Sequence, residues 1–190
     1  MVKLMNGQIL VESEEGKGTE FSVYLSLPIA EKQEGNVTAG LTESADDPAM
    51  AQALANFTLK GIRILLAEDN DINAEIAMEI LAMEGAILTR ACDGNEAVKL
   101  FKESRPYTYD VILMDIQMPG MDGWEATRVI RKMKREDVDL PILAMSANAF
   151  LEDRRKSEES GMNAHINKPV DYDEVRRIIG EELWTVRSQH

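Results

Sequence analysis

From Lys60 onward, short apolar runs alternate with helix-period stretches five times. The runs at residues 62–67, 86–91, 111–114, 141–145 and 164–167 are bounded by charged residues or turn formers, the pattern of strands buried on both faces. Between them lie helical patterns. Asn70 or Asp71 can cap a helix in which Ile72, Ile76 and Ile80, with Ala77 and Leu81, form a core stripe. Gly94 turns into a helix carrying Ala97, Val98 and Phe101, and residues 124–134 continue the alternation. Residues 152–160 make a charged helix stopped by Gly161, and the final helix carries Val175, Ile178, Ile179 and Leu183 on one face. Five such units with short connections predict a parallel sheet with helices on both sides. A length of about 125 residues suits a flavodoxin-like, doubly wound α/β fold with strand order 2-1-3-4-5.

Upstream the pattern changes. Val2, Leu4 and Met5 read as the last turn of a helix stopped by Asn6-Gly7. Residues 8–13 and 19–27 read as two strands around the charged turn 14–18, with Phe21, Val23, Leu25 and Leu27 on one face. A two-stranded hairpin is marginal by itself and calls for a larger sheet. Residues 29–59 lose periodicity and read as a flexible linker, with a transient helix over 49–55. The expected division is therefore 1–28, 29–59 and 60–190.

Charge and composition narrow the classes. The chain carries 34 acidic and 21 basic side chains, a net charge of −13. That balance argues against binding nucleic acid or anionic membrane surfaces. No apolar run approaches the roughly 20 residues of a membrane span, and no signal peptide opens the chain. The single Cys92 forms no internal disulfide, so a cytoplasmic location is the expectation, and Cys92 itself reads as a small packing residue. With only His165 and His190 besides, a zinc site is nearly excluded.

The topology places chemistry on one edge. Glu68 and Asp69, Asp115, Ser146 and Lys168 stand at the carboxyl ends of four strands, where open α/β sheets bind ligands. Three acids packed together repel unless a cation sits among them, and an all-oxygen donor set points to Mg²⁺. A carboxylate such as Asp115 can attack a phosphoryl group and form an aspartyl phosphate. Asp69 and Asp115 would hold the metal, with Glu68 acting mainly through bound water, Lys168 would contact one phosphoryl oxygen, and Ser146 would hydrogen-bond another. Haloacid-dehalogenase-type phosphatases need a second Asp two residues after the nucleophile, and Gln117 occupies that place.

Residues 60–187 resemble the receiver domain of two-component signalling, in particular receivers attached to hybrid histidine kinases. The motifs are Leu65-Leu66-Ala67-Glu68-Asp69-Asn70, Leu113-Met114-Asp115-Ile116-Gln117-Met118-Pro119-Gly120, Ala144-Met145-Ser146-Ala147 and Asn167-Lys168-Pro169. The resemblance implies that Asp115 is the phosphoacceptor and that Glu68 and Asp69 bind the metal. It makes the Gln117 backbone carbonyl a further metal ligand, Ser146 the switch hydroxyl and Lys168 the lysine on the phosphoryl group, with a cis bond before Pro169. It implies a phosphohistidine donor and a histidine phosphotransfer protein as partners. The segment Asn6-Gly7-Gln8-Ile9 through Gly16-Lys17-Gly18-Thr19 resembles the closing hairpin of a histidine kinase ATP-binding domain. The boxes that hold Mg-ATP and the phosphorylated histidine have no counterpart here, so only aspartyl phosphorylation is expected of the chain, not kinase activity. A phosphorylation-independent interaction module is the alternative.

One position departs from the family. Three residues before the lysine it has Tyr or Phe, which turns inward on activation; here it is His165. A polar ring at this switch position would make the buried state sensitive to protonation.

Overall fold

In the computed structural model the residues described are 8–14, 18–24, 48–147 and 151–188. The chain divides into two units, Met1–Glu43 and Ser44–His190. In the first, β1 (Gln8–Glu14) pairs antiparallel with β2 (Gly18–Tyr24) in a register running from Gln8↔Tyr24 to Glu14↔Gly18. That is the hairpin expected from the alternation. The helix end at Val2, Leu4 and Met5, the turn centre at 15–17, Leu25 and Leu27, and linker residues 29–47 lie outside the described residues.

The second unit begins with α1 (Pro48–Ala55) and then alternates β3 (Arg63–Ala67), α2 (Asp71–Met83), β4 (Ile87–Ala91), α3 (Gly94–Glu103), β5 (Val111–Asp115), α4 (Gly123–Arg131), β6 (Ile142–Ser146), α5 (Leu151–Ser160), β7 (Ala164–Asn167) and α6 (Tyr172–Ser188). The sheet order is β4-β3-β5-β6-β7, with every pair parallel. This is the 2-1-3-4-5 order read from the sequence. Both central strands β5 and β6 are buried along their whole length, because helices cover each face. One core layer joins Ile64, Leu66, Leu113 and Leu143 to α2 and α6. The other joins Leu65, Ile112, Met114 and Ile142 to Phe101 of α3 and Ile130 of α4.

Two expectations are corrected. The core stripe of α2 is Ala74, Ala77 and Leu81, while Ile72 and Ile76 are 68% and 48% exposed. The helix turns Ala74, Ala77 and Leu81 to the sheet and leaves Ile72 and Ile76 outside. Residues 48–59 are not free linker. Met50 is buried, Leu59 is fully buried, and Leu54 and Phe57 press on α6 at Gly180. A Cβ at Gly180 would come within 2.8 Å of Leu54 Cδ2 and 2.9 Å of Phe57 Cδ1. The glycine notch in α6 is what lets α1 lie down.

A polar brace closes the opposite end of the sheet. Arg135 donates from Nε and Nη2 to both oxygens of Asp137, at 2.8 and 2.9 Å, and stacks 4.4 Å over the Phe101 ring. Asp137 also accepts the Tyr107 N–H at 2.7 Å, which holds Tyr107 at φ 61°. Arg135 holds the Asp137 carboxyl below its usual range, against the opposing effect of burial. A carboxylate with a lowered folded pKa stabilises the fold fully above its ordinary pKa, and the gain fades as pH falls through the folded value. Asp137→Asn should therefore cost about 2–3 kcal/mol at neutral pH. In denaturant unfolding, the gap to the native chain should hold down to the ordinary carboxyl range and close only as the pH falls below it.

Candidate functional site

Because the sheet is parallel, β3, β5, β6 and β7 all end on one edge, and the helices after β3, β4 and β5 start there. Each of those helices is opened by a side-chain cap: Asn70 accepts from Asn73 N–H, Asp93 from Glu96 N–H and Asp122 from Glu125 N–H. The caps fix the loops beside the acids. Beyond β3 come Glu68 and Asp69, β5 ends on Asp115, β6 on Ser146, and Lys168 follows β7 with a cis bond to Pro169.

Lys168 Nζ donates to Asp115 Oδ2 at 2.5 Å and to Glu68 Oε2 at 2.6 Å. The other oxygen of each carboxylate is also fixed. Glu68 Oε1 accepts from Asn73 Nδ2 at 3.0 Å, and Asp115 Oδ1 accepts from the Gln117 N–H at 3.0 Å. Ligand oxygens of Glu68, Asp69 and Asp115 lie within 4.8 Å of one another, with the first and third acids buried and Asp69 exposed. Burial pushes the Asp115 carboxyl above its usual range; the Lys168 ammonium and the Gln117 N–H pull against that shift, and Glu68 adds to it. Burial acts to lower the Lys168 value, but its bonds to Asp115 and Glu68 outweigh this and hold it raised. Lys168 is thus a firm cation, and its single charge offsets only one of three neighbouring acids. The remaining negative charge, the all-oxygen donor set and the exposed Asp69 fit a hard divalent cation.

Ser146 is buried, and its Oγ lies 2.9 Å from His165 Nε2. The Lys168 N–H donates to the Ser146 carbonyl at 2.7 Å, tying the ends of β6 and β7 together. The structure therefore joins Glu68, Asp69, Asp115 and Lys168 in one cluster and Ser146 with His165 in a contiguous pair. Gln117 reaches the cluster through its amide N–H. Cys92, read as a packing residue, is exposed instead, just past the end of β4.

Two contributors escaped the sequence reading. Asn73 orients Glu68; the signal was its place three residues after the capping Asn70, on the same side of the first turn. Gly123 packs against the end of β5, donating its N–H to Ile116 O at 3.1 Å, and any Cβ there would overlap the Asp115 carbonyl oxygen. Its position at a helix start was readable, but not the backbone it touches.

The family model for the response regulator receiver domain matches residues 64–180. A probable histidine kinase from Oryza sativa is 36% identical over 163 residues, covering 80% of this chain but only 14% of that protein. Among solved structures, the receiver domain of a sensor histidine kinase from Pseudomonas aeruginosa, with magnesium ion coordinated in its active site cleft, is 38% identical with a TM-score of 0.58, covering 65% of this chain and 98% of that one. The receiver domain of a Saccharomyces cerevisiae response regulator, co-crystallised with a histidine phosphotransfer protein, is 31% identical with a TM-score of 0.58, covering 66% and 90%.

Proposed function

This chain belongs to the response regulator receiver domain family, and we propose that its Asp115 carboxylate accepts a phosphoryl group from a phosphohistidine. The observation that carries the proposal is the Asp115 carboxylate itself. It is buried, fixed on one oxygen by the Gln117 N–H, held on the other by Lys168, and set among two further acids.

In the transfer, a carboxylate oxygen of Asp115 bonds to phosphorus as the bond from phosphorus to the donor imidazole nitrogen breaks. The electron pair stays with the imidazole, and the product is an acyl phosphate on Asp115. Burial strips water from the nucleophile, and the Gln117 N–H fixes its orientation. Lys168, already in contact with Asp115 Oδ2, moves its charge onto an incoming phosphoryl oxygen, and Ser146 donates to another. Glu68, Asp69, Asp115 and the Gln117 backbone carbonyl would hold Mg²⁺, which when bound offsets repulsion between the acids and the phosphoryl oxygens. The magnesium in the Pseudomonas receiver supports that assignment.

The donor would dock on α2, which starts two residues after Asp69. Ile72 and Ile76 form an exposed apolar row there, flanked by Asp71, Glu75 and Glu79. Such a row fits the apolar face of a partner helix carrying the phosphohistidine. A histidine kinase domain or a histidine phosphotransfer protein would supply it, as the yeast co-crystal supports. The double substitution Ile72→Ser with Ile76→Ser removes no core contact, so thermal unfolding and uptake from a small phosphodonor should stay unchanged. Transfer from a phosphohistidine protein should slow by about tenfold or more. We also assign residues 1–28 to the closing hairpin of a kinase ATP-binding domain, ahead of a linker and the receiver, the order of a hybrid kinase.

Intact-mass analysis after incubation with Mg²⁺ and acetyl phosphate tests the reading. One added phosphoryl group, mapped to the peptide bearing Asp115, is expected. A chain that gains no mass is an interaction module, and the phosphoacceptor reading falls.

A further inference from the structure

The hydrogen bond between Ser146 and His165 sits where the transferred group has to find a donor. β6 and β7 run side by side in the register Ala144↔His165 and Ser146↔Asn167. The imidazole Nε2 reaches along that pair of strands to the Ser146 hydroxyl at 2.9 Å. Ser146 is 2% exposed, so this hydroxyl is a fixed group of the interior, and its carbonyl is bound to the Lys168 N–H.

We propose that His165 is a positioning residue: in the resting chain its Nε2 accepts the Ser146 hydroxyl, and that bond must be surrendered or reversed when Asp115 is phosphorylated. The proposal rests on the phosphoacceptor reading above. Its chemistry is a count of hydrogens. A serine hydroxyl has one hydrogen to donate, and each nitrogen of a neutral imidazole is either donor or acceptor. Phosphoryl oxygens are acceptors. Once Ser146 donates to one of them, the contact with His165 survives only if Nε2 donates to the serine oxygen. In a neutral ring the hydrogen then moves from Nδ1 to Nε2 by exchange with solvent. A phenylalanine at this position has no nitrogen with which to hold the hydroxyl. His165 thus restrains phosphorylation by one hydrogen bond and carries a chemical mark of it on β7.

Two measurements on the full chain test this. With imidazole ¹⁵N labelling, His165 and His190 are the only two signals sources. Adding Mg²⁺ and beryllofluoride, a mimic of the acyl phosphate, should convert His165 from the Nδ1–H to the Nε2–H pattern; unaltered nitrogen shifts overturn the proposal. His165→Phe should speed phosphorylation by acetyl phosphate about threefold to tenfold, the worth of one hydrogen bond. The same substitution in a Ser146→Ala chain should change nothing, because no hydroxyl remains to be held. Equal acceleration in both backgrounds would reduce His165 to a packing role and overturn the proposal. A native chain that gains no phosphoryl mass defeats the phosphoacceptor reading and the latch with it, whereas mass gain with additive substitutions defeats the latch alone.

Discussion

Lys168→Met should yield a folded chain that is about 3 kcal/mol less stable in metal-free buffer and takes up phosphoryl groups about 100- to 1000-fold more slowly. Methionine keeps the apolar stem and removes the charge. What remains is Glu68 facing Asp115, with side chains only 4% and 6% exposed and no cation between them. The loss has a defined pH course. A lysine whose folded pKa is raised contributes its stability in full below the ordinary ammonium value, about 10.4, and loses it only as pH climbs through the raised one. On the alkaline side the gap between native and variant chains should therefore close only in strong alkali, and on the acid side it should close as Glu68 and Asp115 take up protons and leave no charge for Lys168 to offset. Lys168 occupies oxygens of Glu68 and Asp115, both members of the acid cluster, so the variant should also bind Mg²⁺ more tightly and regain stability from it. Unfolding curves with and without Mg²⁺ separate the two effects. Equal stability of both chains in chelator would mean that the ion pair contributes nothing.

Gly123→Ala is the second large effect, and it works through the backbone. The added methyl would meet the Asp115 carbonyl oxygen and lie 3.0 Å from Ile116 Cα, and neither can swing aside as a side chain could. Either α4 moves away from β5 or the strand end shifts. Overpacking of this kind costs about 3 kcal/mol. The displacement falls on the residue that carries the nucleophile, so phosphoryl uptake should fall by more than the stability loss alone explains. Uptake measured well below the melting temperature reads that excess. Gly94→Ala presses on the same loop from the other side, at the Met121 carbonyl, and should weaken uptake less because it lies further from Asp115.

The sheet and the acid cluster were legible because both follow from topology. Apolar runs named the strands to within a residue or two, and parallel order forces strand ends with Glu68, Asp69, Asp115 and Lys168 onto one edge. What stayed hidden depends on partners remote in sequence or on which of two apolar faces wins. On α2, Ile72 and Ile76 promise more buried area than Ala74 and Ala77. The small residues face inward nonetheless, where with Leu81 they join the core layer of Ile64 and Leu66. Leu54 of α1 and Phe57 just beyond it become meaningful only beside Gly180, far along the chain. Asn73 and Gly123 are ordinary helix-start residues until the fold sets them against Glu68 and Asp115.

The seating of α1 on α6 also sets a boundary. A chain begun at Lys60 would leave the Gly180 notch of α6 open to water, whereas one that keeps residues 48–59 holds Leu54 and Phe57 against it. Gly180, a residue with no side chain, thereby bears on where a receiver cut from this chain has to start.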